Sequence, residues 1–467
     1  MSAAAAAVGD RLPVFAIVGR PNVGKSTLFN ALTGTRDALV ADFAGLTRDR
    51  QYGFGQSRGR RFMVVDTGGL APDDHDALAL LAEEQAQQAI AQADAVLFLT
   101  DARAGLQPDD AGIARALRKT GKKILLLANK SEGLNHAVLA ELYKLGFGQP
   151  HAVSARHGEG ITALLDELLA DVPPSPPEPA TPRLRVAVIG RPNVGKSTLV
   201  NRLCGEQRVL AADVPGTTRD AIRVPFEWQG KPFELIDTAG VRRKAKTTEM
   251  IEKLSIVKTL QAIELAHVVI AVVDAQDGIG EQDARLMGLV AHHGRALVLA
   301  VNKWDGLADD RRQEIRDAVD FKLPFLDHVP LHFISAQHGS GLGELMKDVQ
   351  AVAEGVEREL PTPELNRVLE QAVLEHSPPA VVGRRIKLRY AHQGGRHPTV
   401  IVIHGNQTER LPDSYKRYLA NVFRKAFDLK GVPLQITFKT GDNPYKENRN
   451  VLTPRQKKRR DRVRGRR

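Results

Sequence analysis

Gly19-Arg-Pro-Asn-Val-Gly-Lys-Ser-Thr-Leu28 occurs twice in this chain, letter for letter, the second time as Gly190 to Leu199. Each copy fits the phosphate-loop pattern G-x-x-x-x-G-K-[ST]. Such a loop turns backbone N–H groups inward around a phosphate, and the helix that follows adds the positive end of its dipole. The candidate phosphate residues are Gly19, Arg20, Pro21, Asn22, Val23, Gly24, Lys25, Ser26 and Thr27 in the first copy. In the second they are Gly190, Arg191, Pro192, Asn193, Val194, Gly195, Lys196, Ser197 and Thr198. One copy implies one nucleotide; two copies with matched downstream motifs imply two nucleotide sites.

The match extends past the loops. A Thr-Arg-Asp triplet begins 22 residues beyond each loop lysine, at Thr47 and Thr218. Asp-Thr-x-Gly begins 41 residues beyond it, as Asp66, Thr67, Gly68, Gly69 and as Asp237, Thr238, Ala239, Gly240. Asn-Lys-x-acid follows at Asn129 and Asn302, and Ser-Ala at Ser154 and Ser335. The two loops lie 171 residues apart. That period is a duplicated domain, since solenoid repeats run roughly 20–50 residues.

Composition agrees. A chain of 467 residues suggests about three domains at ~150 residues each. It is 42% hydrophobic and 26% charged, as a soluble globular protein is. Cys204 is the only cysteine, which excludes a disulfide framework or a cysteine zinc site and fits a reducing compartment. The alanine-rich start lacks a basic segment and a long apolar core, so no signal peptide is expected. No apolar run of about 18 residues predicts a membrane span.

The net charge of +11 is uneven. From Glu357 onward there are 25 Lys and Arg against 11 Asp and Glu, a balance of +14 that leaves about −3 for the rest. Arg455 to Arg467 carry nine cations and one acid. Such a tail repels itself and points to a polyanion. Smaller basic clusters are Arg384, Arg385, Lys387 and Arg389, then Lys416, Arg417, Arg424 and Lys425, and Arg242, Arg243, Lys244 and Lys246. A solvated surface explains each of these equally well.

Short apolar runs predict strands at 14–18, 62–65, 95–99, 124–128 and 152–153, with helices at 72–92 and 109–119 between them. The second half repeats this with strands at 185–189, 233–236, 268–273, 296–301 and 332–334. Strands alternating with helices imply a mostly parallel sheet covered on both faces, with ligands at the carboxyl ends of its strands. Six prolines within 173–182 form a semi-rigid linker. Beyond Pro361 and Pro363, helices at 364–375 and 414–428 and strands at 385–391, 399–404 and 434–439 predict a small α+β domain. The tail from Gly441 is read as disordered unless bound.

The motifs constrain the chemistry. A carboxylate in Asn-Lys-x-acid accepts guanine N1–H and N2–H, and adenine has no N1–H. The second half has Asn302, Lys303, Trp304 and Asp305. The first has Asn129, Lys130, Ser131 and Glu132, where an added methylene relaxes the geometry or weakens the site. Lys130 and Lys303 are expected against the base plane. Ser154 with Ala155 and Ser335 with Ala336 offer backbone N–H groups to guanine O6. Magnesium takes hard oxygens. Ser26 and Ser197 supply hydroxyls, Thr47 and Thr218 complete the shell when a γ-phosphate is present, and Asp66 and Asp237 act through water. Lys25 and Lys196 neutralise the β- and γ-phosphates. The catalytic candidates are Lys25, Thr47, Lys196 and Thr218.

These motifs together resemble the Era-like, translation-factor-related GTPases. Two such domains followed by a small basic domain resemble the Der (EngA) family, bacterial ribosome-assembly GTPases. Leu411-Pro-Asp-Ser-Tyr-Lys-Arg-Tyr418 and Gly441-Asp-Asn-Pro-Tyr445 resemble that family's third domain. The resemblance implies an α/β fold: two tandem P-loop GTPase domains with doubly wound, mostly parallel sheets, plus a small C-terminal α+β KH-like domain. The expected boundaries are 1–172 and 184–356 for the GTPase domains, 173–183 for the linker, 357–440 for the KH-like domain and 441–467 for the basic tail. It implies hydrolysis of GTP to GDP and phosphate with Mg²⁺, and the large ribosomal subunit and its rRNA as partners of a cytoplasmic monomer. A GTPase of RNA modification and an RNA-binding scaffold with one inactive site are the alternatives.

Two features depart from expectation. Signalling GTPases place a water-orienting glutamine directly after Asp-x-x-Gly, and here that position is Leu70 or Val241. Asn22 and Asn193 match an asparagine that in related GTPases helps hold a potassium ion, although a loop-shaping role serves as well. The KH-like domain lacks the Gly-x-x-Gly loop that clamps RNA; the sequence offers only Gly394-Gly395.

Overall fold

In this computed structural model the described residues are 12–34, 51–67, 87, 89–134, 136–172, 183–205, 223–236, 256–381, 384–396 and 398–440. Most of the helix expected at 72–92, the segments 35–50, 206–222 and 237–255, the linker and the tail lie outside them. The chain divides into two compact units, Met1–Ala353 and Glu354–Arg467.

The first unit holds two six-stranded sheets. In the first sheet β1 (Val14–Val18), β4 (Ala95–Asp101), β5 (Lys123–Asn129) and β6 (His151–Ala152) run parallel, with β3 (Arg60–Asp66) parallel on the other side of β1. The edge strand β2 (Gln51–Ser57) pairs antiparallel with β3. Helices α1 (Lys25–Thr33), α2 (Pro108–Arg118) and α3 (Ile161–Leu168) belong to this half. The second sheet repeats the order with β8 (Arg223–Trp228), β9 (Lys231–Ile236), β7 (Leu184–Ile189), β10 (Val268–Asp274), β11 (Ala296–Asn302) and β12 (Leu331–Phe333). Its helices are α4 (Lys196–Cys204), α5 (Ile256–Leu265), α6 (Glu281–His292), α7 (Asp309–Lys322) and α8 (Leu342–Glu357). The seven residues of β4 and of β10 are all buried, which is why both read as unbroken apolar runs.

Both antiparallel edges escaped the sequence reading for a steric reason. β2 contains Gly53 and Gly55, poor strand formers. A Cβ on Gly53 would lie 2.6 Å from the Phe29 ring, and one on Gly55 would lie 2.3 Å from the Phe62 ring. Packing of α1 and β3 therefore selects glycine against local propensity. β8 contains Pro225, tolerated because the strand is at an edge.

One apolar cluster crosses between the halves. Val14, Tyr52, Met63 and Val65 of the first half are buried with Val257, Leu260, Ile263 and Leu289 of the second. Around it, Glu264 on α5 pairs with Arg61 of β3 and, at 2.7 Å, with Arg295. Gln261 Nε2 donates to the Leu12 carbonyl at 2.9 Å. His293 meets Phe54 edge-on, with ring centroids 5.6 Å apart.

In the second unit, α9 (Thr362–Glu375) and α10 (Asp413–Ala426) accompany a sheet of β15 (Lys387–Arg396), β16 (Thr399–Asn406) and β17 (Leu434–Thr440). Its first two strands are antiparallel and its last two parallel. Two short strands, β13 (Ala380–Val381) and β14 (Arg384–Arg385), pair separately. The strand expected at 385–391 is thus two pieces, and β15 runs on through Gly394 and Gly395, where its register shifts. The Tyr415 hydroxyl donates to the His376 carbonyl at 2.7 Å and the Tyr418 hydroxyl to Ala372 at 3.1 Å, tying α10 to α9. Burial pushes the Tyr415 phenol up to about 12. Among the described residues, no helix is long and apolar enough to cross a membrane.

Candidate functional site

The two phosphate loops adopt similar backbones. Asn22 and Asn193 both have φ +64°, and Gly24 and Gly195, each preceding a helix, have φ +98° and +97°. Left-handed backbone suits glycine, and here space forbids any other residue. A Cβ at Gly24 would lie 2.4 Å from Asn129 Nδ2, and one at Gly195 would lie 2.1 Å from Asn302 Nδ2. Val23 and Val194 anchor the loops in the core, while Ser26, Thr27, Ser197 and Thr198 are exposed at the first turns of α1 and α4.

The loop lysines fold back over their own loops. Lys25 Nζ donates to the Gly19 and Arg20 carbonyls at 2.9 Å each, and Lys196 Nζ to the Arg191 carbonyl at 2.5 Å. Burial lowers the Lys25 ammonium from its ordinary value, and the nearby Asp66 carboxylate opposes that. Ser26 Oγ donates to Asp66 Oδ2 at 3.0 Å. A hydroxyl and a carboxylate thus meet beside an ammonium, a donor set of hard oxygens that fits magnesium. Thr67 Oγ1 donates to the Ile17 carbonyl at 2.7 Å. Thr47, Gly68, Gly69, Leu70, Thr218, Asp237, Thr238, Ala239, Gly240 and Val241 lie outside the described residues, as do Arg242, Arg243, Lys244 and Lys246.

At the other end of each site a buried asparagine joins three loops. Asn129 Nδ2 donates to the Val23 carbonyl at 2.8 Å, and its Oδ1 accepts from the Ala155 N–H at 3.0 Å. Asn302 repeats this with Val194 and Ala336, at 2.8 Å each. The phosphate loop, the Asn-Lys turn and the Ser-Ala turn are therefore one hydrogen-bonded body in each half.

Lys130 and Lys303 take left-handed backbone, φ +61° and +62°. Their ammonium groups pair with Asp101 Oδ2 at 2.6 Å and Asp274 Oδ2 at 2.5 Å. Lys130 also reaches the Asn22 carbonyl at 3.0 Å. Burial pushes Asp101 up, but the Lys130 hydrogen bond and the Arg103 and Ala104 N–H groups hold its carboxyl below the usual range. These two aspartates were missed from sequence; the signal was the Asp-Ala pair whose aspartate ends β4 and β10. Ser131 Oγ donates to the Val153 carbonyl at 2.9 Å.

The carboxylates differ. Asp305 is lowered chiefly by the Ser335 hydroxyl, and the His338 ring lies 3.3 Å from its Oδ2. Trp304 packs on Phe333, centroids 4.1 Å apart, with Arg312 and Arg316 over its ring. Glu132 is lowered first by its own backbone N–H and then by the Ser154 hydroxyl, with Arg103 and His157 contributing. Arg103 Nη2 lies 2.8 Å from Glu132 Oε1. Arg20 and Arg191 in the phosphate loops reach buried acids, Asp110 at 3.4 Å and Asp283 at 2.8 Å.

Two α/β domains with this loop, this asparagine junction and these Asn-Lys-x-acid carboxylates define a class, the tandem P-loop GTPases. A model described as a 50S ribosome-binding GTPase matches residues 14–130 and 185–303, and one described as the KH-domain-like C-terminal part of EngA bacterial GTPases matches 359–439. GTPase Der of Thioalkalivibrio sulfidiphilus is 55% identical over 97% of this chain and 98% of that one. GTPase Der of Escherichia fergusonii is 48% identical over the same shares. The crystal structure of Era with MgGDPNP and nucleotides 1506–1542 of 16S rRNA covers 56% of this chain and 95% of that one, at 21% identity and a TM-score of 0.29, too loose a match to bear on the site. The chain belongs to the GTPase Der family.

Proposed function

We propose that the chain is a GTP-hydrolysing switch that binds the large ribosomal subunit and serves its assembly. The observation that carries the reading is the paired junction at Asn129 and Asn302, each standing beside a carboxylate able to accept guanine N1–H and N2–H. The family model's description supports the ribosomal partner, and the +14 balance beyond residue 356 supports contact with rRNA. In this reading residues 1–172 and 184–356 are the GTPase domains, 357–440 the KH-like domain and 441–467 an rRNA-contacting tail, in a cytoplasmic monomer.

Magnesium, when bound, neutralises the β- and γ-phosphates. Ser26, Asp66, Ser197 and Asp237 would hold it directly or through water, and Thr47 and Thr218 would join when a γ-phosphate is present. Lys25 and Lys196 leave their loop carbonyls for phosphate oxygens. Leu70 and Val241 orient no water by hydrogen bonding, so Asn22 and Asn193 would hold a potassium ion that, when bound, would supply part of the charge stabilisation. Loss of the γ-phosphate releases the Thr and Asp-x-x-Gly segments, which is the switch.

Co-sedimentation with purified large subunits tests this, using the full chain and a chain ending at Thr453, each with GDP or a non-hydrolysable GTP analogue, at two salt concentrations. The full chain should pellet in a nucleotide-dependent way. The truncated chain, which loses nine cations, should bind less and show a flatter salt dependence, by roughly three to five units of log K against log salt for about five phosphate contacts among them. If neither chain pellets with either nucleotide, the ribosomal reading fails.

A further inference from the structure

Arg103 stands where the second half has Gln276. Both backbone N–H groups donate to the aspartate two residues earlier, Arg103 to Asp101 Oδ1 at 2.9 Å and Gln276 to Asp274 Oδ1 at 2.8 Å. Their side chains differ in consequence. The Arg103 guanidinium spans the Asn-Lys-Ser-Glu turn: its Nε donates to the Lys130 carbonyl at 3.2 Å and its Nη2 to Glu132 Oε1 at 2.8 Å. Glu132 Oε2 is enclosed and makes no hydrogen bond of ordinary geometry among the described residues. Ser154 and His157 act on Glu132 as Ser335 and His338 act on Asp305, so the Arg103 contact is what the first half adds.

Glutamate carries one more methylene and one more torsion than aspartate. Left to itself its carboxylate samples more positions, and a base-recognition group gains from being held before the ligand arrives. We propose that Arg103 is a positioning residue for base recognition at the first site, holding the longer Glu132 carboxylate where Asp305 needs no such support at the second. This rests on the guanine reading above. Each carboxylate oxygen has two lone pairs, so Oε1 accepts from Arg103 and still has capacity for the base. Arg103 is 57% exposed and Glu132 25%. A pair that open to water adds little to fold stability, which lets its effect on recognition be read separately.

The test uses the full chain with Asp305→Asn, so that the second site takes xanthosine diphosphate, supplied throughout to occupy it. GDP and inosine diphosphate are then titrated calorimetrically into the first site. Inosine lacks the N2 amine, so the ratio of the two affinities reports the carboxylate contact and not the fold. Arg103→Ala should shrink that ratio roughly three- to tenfold, the effect of mobilising one side chain, with the thermal midpoint unchanged. Adding Glu132→Asp to Arg103→Ala should restore the ratio. An unchanged ratio in Arg103→Ala overturns the proposal, and so does a reduced ratio that Glu132→Asp fails to restore. If the parent chain prefers GDP to inosine diphosphate by no margin, the guanine reading of the first site has failed instead.

Discussion

Replacing Asn302 by alanine removes the one side chain that joins three loops of the second site. The Val194 carbonyl and the Ala336 N–H, both in buried residues, lose partners at 2.8 Å each. A typical net hydrogen bond contributes about 1 kcal/mol, and a buried group left unpaired costs about 1–3 kcal/mol. Water entering the space vacated by the amide recovers part of this, so about 2–4 kcal/mol of stability should be lost without any nucleotide present. The chain has two tryptophans, Trp228 and Trp304, both in the second half. Tryptophan fluorescence during urea unfolding therefore reports that half selectively. With an m-value of about 2–3 kcal/mol/M, the midpoint should fall by about 1 M. Asn302→Asp keeps the acceptor but turns a carboxylate towards the Val194 carbonyl, and should destabilise at least as much. A midpoint shift below about 0.3 M for Asn302→Ala, on the same m-value, would refute the view that this amide holds the phosphate loop to the base-recognition turns.

Three further outcomes are expected. Burial pushes His293 from 6.5 down to about 4. Its folded value lies below its unfolded one, so the stability from keeping it neutral is full above pH 6.5 and lost as pH falls towards 4; about 2 kcal/mol should go between pH 7 and 5, and His293→Phe should flatten that slope in urea midpoints. Glu264→Gln leaves Arg61 and Arg295 facing a neutral amide between the two halves; allowing for the partial exposure of Arg61, about 2–3 kcal/mol should be lost, and an unchanged calorimetric transition would show the pair to be dispensable. GTP turnover should be faster in KCl than in NaCl at equal ionic strength, and Asn193→Ala should narrow the gap; equal rates in the parent chain would remove potassium from the mechanism.

The parallel strands were legible because burial on both faces writes itself as an unbroken apolar run, and the alternation of such runs with helices allows few arrangements. The edges were not. Glycines at 53 and 55 and a proline at 225 speak against strand locally, and the glycines are explained by groups brought there by folding, the Phe29 ring with the Thr33 methyl and the Phe62 ring with the Leu32 carbonyl. Residues 385–391 read as one strand because their composition is uniform. The break after Arg385 and the continuation through Gly394 to Arg396 depend on partners, the short strand at 380–381 and the register shift against 399–406.

The site divides along the same line. Groups whose chemistry depends on spacing within one loop were legible, and groups that act by supporting another side chain were not. Lys130 and Lys303 are marked by their motif, but Asp101 and Asp274, which hold them, belong to a different strand and gain meaning only when that strand lies beside β5 or β11. Arg103 is more hidden still, since the substitution that gives it a role is Glu132, 29 residues later. The identical loops fold alike, with φ within a degree at Asn22 and Asn193 and at Gly24 and Gly195. What distinguishes the two sites must therefore lie where the letters differ: Arg103 with Glu132 in one, Gln276 with Asp305 in the other. The duplication thus supplies its own control, because a variant made at one site has an unaltered counterpart in the same molecule.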